Sequence, residues 1–229
     1  MGQCRDTNAG GAPIEQTPIP GQIIILNGAP RSGKSSIAAA VQDAFDGVWM
    51  NLGVDAFVRL VTPPRYQPGI GLRPGEPQHV AAPLVPVLYA AMYESIAAHS
   101  RLGLNVVVDV GHHATYGEDV LVDCARRVAG LPVLFVGVRC PIDVIMDRRN
   151  AVQSGREGQY VAGTLDEPIP PPVALWQRAV HDPGIYDLEV DTSRMSSEEC
   201  ATAIRARLRD GPPGSVFEDL ADGSPHSGG

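Results

Sequence analysis

Five short apolar runs punctuate the chain and predict five β-strands: QIIIL at 22–26, VWMNL at 48–52, NVVVDV at 105–110, PVLFVGV at 132–138 and YDLEV at 186–190. Three of them are nearly continuous apolar stretches, as strands covered on both faces should be. The segments between carry helical spacing. Ile37, Val41 and Phe45 form one stripe, and Val87, Ala91 and Ile96 form a second. Ser196 and Glu199 make an S-x-x-E capping box ahead of Ala203, Ile204 and Leu208. Strands alternating with helices require right-handed crossovers and predict an α/β fold, a doubly wound five-stranded parallel sheet with helices on both faces.

Two ends break this pattern. Residues 1–20 and 210–229 are rich in Gly, Pro, Ser and Asp and predict disordered tails around one domain at 21–209. Two further stretches, 62–80 and 153–172, are Pro- and Gly-rich and read as long functional loops.

Composition narrows the class of partner. The chain has 229 residues, 44% of them apolar, and a formal net charge of −8. No basic run is present, so binding to a nucleic-acid backbone is not expected. No apolar run reaches the ~18 residues of a membrane span, and the first twenty residues lack the order of a signal peptide. The four cysteines, Cys4, Cys124, Cys140 and Cys200, fit neither a zinc site nor a disulfide framework. They read as reduced core thiols, which suits the cytoplasm. A homo-oligomer stays open.

GAPRSGKS, residues 28–35, satisfies G-x-x-x-x-G-K-[ST] between a strand and a helix, the context that validates a phosphate-binding loop. Gly28 and Gly33 let the backbone turn tightly. Ala29, Pro30, Arg31, Ser32, Gly33, Lys34, Ser35 and Ser36 are then expected to line the nucleotide, with several loop N–H groups pointing at phosphate oxygens. Lys34 is placed to reach the β- and γ-phosphates and Ser35 to ligate Mg²⁺. The expected cofactors are ATP and Mg²⁺, with GTP not distinguished.

Acids and arginines surround this loop in the sequence. Asp55 follows the second strand and is either the base that accepts a hydroxyl proton or the N-cap of a helix beginning at Ala56. Asp109 closes an apolar strand, as a Mg²⁺-holding carboxylate would. His112 and His113 follow it and read as exposed turn residues, the alternative being contact with substrate, with no third ligand for zinc. Arg148, Arg149 and Arg156 lie in MDRRNAVQSGREGQY, where an arginine closing over phosphates would offset charge on the transferring group. Arg149 and Arg156 are the expected catalytic pair. Thr192 and Ser193 follow the fifth strand, either beside the nucleotide base or in a plain turn.

These segments together resemble the chloramphenicol phosphotransferase-like family. The resemblance covers roughly 22–208 and rests on IIILNGAPRSGKSSIA, NLGVDAF, VVVDVG, FVGVRCP and AVHDPGIYDLEVDTSRMSSEECATAI. It implies a P-loop kinase with a shikimate-kinase-like core that phosphorylates a hydroxyl of a small molecule, an antibiotic or related secondary metabolite. It also implies Asp55 as general base, 57–104 as the acceptor-binding region and 146–172 as a lid. The lid sequence departs from the family's arginine pattern, and 57–104 is proline-rich in its own way. A sugar-nucleotide kinase of the zeta-toxin type and a non-catalytic nucleotide switch are the competing readings.

Overall fold

A computed structural model describes residues 18–66, 82–113, 120–151, 163–182 and 184–223. The five strands are β1 (Ile23–Asn27), β2 (Trp49–Asn51), β3 (Asn105–Val110), β4 (Val133–Arg139) and β5 (Leu188–Asp191). They form one sheet of order β2-β3-β1-β4-β5, with every pairing parallel. The expected α/β fold is therefore present.

Helices cover both faces: α1 (Lys34–Ala44), α2 (Val54–Val61), α3 (Val85–Arg101), α4 (Val120–Arg127), α5 (Ile142–Asn150), α6 (Pro171–Ala179), α7 (Ser197–Asp210) and α8 (Val216–Asp222). Alternation along β1 shows how the faces are divided. Ile24 and Leu26 pack with Ile37 and Val41 of α1 and with Cys200 and Ile204 of α7. Ile23 and Ile25 pack with α3, α4 and α8 on the other side. Both sets are fully buried, which is why the strand shows no polar alternation. The capping box is formed: Ser196 Oγ accepts from the Glu199 amide at 3.2 Å, and Glu199 Oε2 accepts from the Ser196 amide at 2.7 Å. Among the described residues, no helix is long and apolar enough to cross a membrane. Cys124, Cys140 and Cys200 are buried free thiols, as expected of core cysteines.

Two expectations are corrected. The stripe of α3 does not run through Val87 and Ala91, which are exposed. Its buried face is Val85, Tyr89, Met92, Tyr93, Ile96, Ala97 and Ser100. The helix is apolar nearly all round, so its sequence admits more than one stripe, and the tyrosines decide which one faces the sheet.

The second correction concerns the C-terminal segment, which is not wholly a tail. Asp187 accepts from the Ser215 and Val216 amides at 2.8 and 3.3 Å and so anchors the start of α8. Phe217, 3% exposed, then stacks 6.2 Å from Tyr93 and edge-on at 5.0 Å from Phe135. Phe217→Ala is expected to lower stability by about 3–5 kcal/mol in urea denaturation. A loss below about 1 kcal/mol would show that α8 is peripheral.

Candidate active site

The phosphate loop joins the buried end of β1 to α1 at the carboxyl edge of the sheet, where ligands of such sheets bind. Its conformation has a sequence cause. Arg31 and Gly33 both adopt left-handed backbone, with φ of 72° and 96°. Glycine takes this at no steric cost, whereas Arg31 does so against its preference. Consecutive turns of this kind aim N–H groups inward and create an anion-binding concavity at a helix N-terminus. Gly28 is fixed by packing: a β-carbon there would lie 2.5 Å from the Val138 carbonyl oxygen.

Lys34, the first residue of α1, turns its ammonium back over the loop. Nζ donates to the Gly28 and Ala29 carbonyls at 2.8 and 2.9 Å. Burial holds the Lys34 pKa below the ordinary lysine value, while the charges of Asp109 and then Asp55 oppose that shift. One ammonium thus feels both carboxylates that the sequence nominated.

Asp109 sits near the end of β3, opposite Leu26 of β1. Its Oδ2 accepts from Ser35 Oγ at 2.6 Å. The Gly53 backbone presses against the same carboxylate, since a β-carbon at Gly53 would lie 1.6 Å from Oδ1. Asp55 is the second residue of α2, whose N-cap is Gly53, so the N-cap alternative does not hold. Its carboxylate is exposed and makes no hydrogen bond among the described residues.

Arg148 touches the loop. Its guanidinium donates to the Arg31 carbonyl at 3.2 Å, to Thr192 Oγ1 at 3.1 Å and to the Thr192 carbonyl at 2.7 Å. Arg31 in turn donates to the Arg148 carbonyl at 3.1 Å. Thr192 Oγ1 donates to the Ser32 carbonyl at 2.7 Å, so the turn after β5 is tied to the loop. Arg149 belongs to the buried face of α5 with Ile145 and Met146 and is 8% exposed. Ile145 and Met146 cluster with Ala29 of the loop, so the α5 face that carries Arg149 is the one packed toward the loop. Arg156 lies outside the described residues. Ser193 bonds Asp191 rather than the loop, at 2.6 Å through its hydroxyl.

His112 and His113 overturn the expectation of exposed turn residues. They are 3% and 6% exposed. His112 Nε2 meets the Tyr93 hydroxyl at 2.8 Å, and its ring packs 4.8 Å from Tyr89. Burial, then the neighbouring His113, pushes its pKa down to about 3. His112 is therefore a neutral core residue at physiological pH.

Sequence reasoning missed a second ring of residues around the loop: Asn27, Trp176, His181 and Tyr186. Asn27 had a usable signal, an amide closing an otherwise wholly apolar strand one residue before Gly28. Trp176 had none, because its place beside Gly111 depends on how α6 docks.

A family model described as chloramphenicol phosphotransferase-like protein matches residues 21–209. The chain belongs to this family. A Mycobacterium tuberculosis protein named "Putative O-phosphotransferase" is 27% identical over 213 residues, covering 87% of this chain and 88% of that protein. Among solved structures, a sugar kinase from a Janibacter species superposes with a TM-score of 0.53 at 18% identity, covering 90% of this chain and 100% of the other. The Mycobacterium tuberculosis APS kinase CysC, in complex with AMPPNP and APS, gives 0.50 at 16% identity, covering 84% and 100%. At these identities the two structures establish a shared kinase fold.

Proposed function

We propose that this chloramphenicol phosphotransferase-like protein is an ATP-dependent O-phosphotransferase acting on a hydroxyl of a small molecule. The acceptor would be an antibiotic such as chloramphenicol or a related secondary metabolite. The observation that carries the reading is one lysine, Lys34, seated in the phosphate loop within the field of two carboxylates on different elements. Asp109 is bonded to the loop side through Ser35, whereas Asp55, exposed on α2, makes no hydrogen bond among the described residues. One acid is committed to the donor and the other is left for the acceptor.

Ser35 Oγ and the Asp109 carboxylate are hard oxygen donors 2.6 Å apart, and no cluster of three His, Cys, Asp or Glu side chains occurs among the described residues. That set fits Mg²⁺, which takes one or two protein oxygens and completes its shell with phosphates and water. Ser35 and Asp109 would hold Mg²⁺, which when bound would offset negative charge on the phosphates.

The loop amides and Lys34 would hold the β- and γ-phosphates. Asp55 would orient the acceptor hydroxyl and take its proton as the oxygen attacks phosphorus. The bond from the γ-phosphorus to the bridging oxygen breaks, and ADP leaves. Positioning and charge stabilisation carry such transfers, so no covalent protein intermediate is required. The family description supports an antibiotic acceptor, and the M. tuberculosis relative's name supports transfer to oxygen.

The test is incubation with ATP·Mg²⁺ and a panel of hydroxylated antibiotics, sugars and sugar nucleotides, read by mass spectrometry. The expected result is a gain of ~80 Da, one phosphoryl group, on a hydroxylated antibiotic. A gain confined to sugar nucleotides would replace the antibiotic reading. ATP hydrolysis indifferent to every acceptor would replace transfer with a nucleotide switch.

A further inference from the structure

We infer that Asn27 is a positioning residue for nucleotide binding: its single amide sets the phosphate loop against both the β3 turn and the end of α6. The inference rests on the nucleotide reading of the loop and adds a residue that this reading does not use. Asn27 is 3% exposed and immediately precedes Gly28. Its Oδ1 accepts from the His112 amide at 2.8 Å. Its Nδ2 donates to the Val180 carbonyl at 2.9 Å and to the Tyr186 hydroxyl at 3.1 Å. The turn after β3, the end of α6 and Tyr186 thus converge on one side chain at the root of the loop.

The network continues in a definite direction. The Tyr186 oxygen accepts from Asn27, so its own proton is available to a second partner. His181 Nδ1 lies 2.8 Å away, whereas the Val180 carbonyl is at 3.3 Å and already accepts from Asn27. In the Nε2–H tautomer of the neutral ring, Tyr186 donates to His181 Nδ1. Burial, then Arg139 and Lys34, keeps His181 neutral by pushing its pKa to about 4. Gly28, the next residue, gives its carbonyl to Lys34. A displaced Asn27 consequently moves the very carbonyl that seats the lysine.

Asn27→Asp separates positioning from packing, since it preserves shape and the acceptor for His112 but loses both donors. ADP·Mg²⁺ affinity, measured by calorimetry at about pH 8, should fall about tenfold relative to wild type, the cost of about one lost buried hydrogen bond and the repulsion it leaves. The introduced carboxyl, buried and facing the Val180 carbonyl, should hold a proton more readily than an exposed acid. Protonated, it again offers a donor. The ratio of variant to wild-type affinity should therefore recover at about pH 5.5, with ionisation of ADP cancelling in the ratio. The groups facing this position are His112, Tyr186, His181 and, through the loop, Lys34. Both histidines stay neutral across that range, and Tyr186 keeps its proton in it. Asn27→Ala should lose affinity at both pH values. A loss in Asn27→Asp that is equal at both pH values, or tracks a fall in melting temperature, would reduce Asn27 to a structural residue. Wild-type affinity in Asn27→Asp at pH 8 would overturn the role outright. Failure of the wild-type protein to bind ADP would instead refute the nucleotide reading beneath it.

Discussion

Lys34→Ala is expected to lower kcat/KM for phosphoryl transfer by about a hundredfold to a thousandfold, the range for removing one preorganised charge donor from a transition state. Lys34 combines two functions that no other side chain can take over. Its ammonium bonds the Gly28 and Ala29 carbonyls and so braces the loop from inside. The same group lies where charge would develop on the transferring phosphoryl. Arginine should not rescue it, because a planar guanidinium cannot occupy the compact seat between two loop carbonyls. The lowered pKa gives an independent check. A lysine held below its ordinary value of 10.5 loses its proton, and its usefulness, at a lower pH than a free lysine. The alkaline limb of the wild-type kcat/KM profile should therefore lie below the ordinary lysine range, since this parameter reports the free enzyme. Lys34→Ala retaining transfer within about threefold of wild type would remove Lys34 from the mechanism.

The contrast between Lys34 and His112 shows what the sequence made legible. The phosphate loop is a local device. Its glycines, lysine and serine lie within eight residues, and their chemistry follows from spacing once a strand precedes and a helix follows. The strands were equally legible, because β1, β3 and β4 bury both faces and so read as unbroken apolar runs. His112 is different. Its burial is imposed by Tyr89 and Tyr93, which reach it from α3 about twenty residues earlier, and by Asn27 from β1. A residue whose environment is assembled from three distant segments leaves no local signature. The same holds for α8, where Asp187 and Phe135 turn a Gly-Pro-rich stretch into the approach to a packed helix. Arg148 and Arg149 divide the lesson between neighbours. Composition marks an arginine segment, but only the orientation of α5 shows that Arg148 bonds the Arg31 carbonyl and that Arg149 is buried.

Asp55→Asn is expected to lower the rate of phosphoryl transfer by about a hundredfold to ten-thousandfold, the range for losing a positioned general base. Its ADP·Mg²⁺ affinity should stay near that of wild type. The asymmetry follows from where the two acids stand. Asp109 is bonded to Ser35 at 2.6 Å and is pressed by the Gly53 backbone, so it belongs to the loop. Asp109→Asn should accordingly weaken Mg²⁺-dependent nucleotide binding first, seen as a higher KM for ATP. Asp55 makes no such bond among the described residues and is exposed on α2, where a hydroxyl can reach it. Its charge still raises the pKa of Lys34. Removing that charge should therefore shift the alkaline limb further toward acid, while the bonds that seat Lys34 on the Gly28 and Ala29 carbonyls are untouched. A base and a metal ligand are thus distinguished by which parameter moves. If Asp55→Asn instead weakened ADP·Mg²⁺ binding tenfold and spared turnover at saturating ATP, Asp55 would belong to the donor side. The acceptor hydroxyl would then need another base.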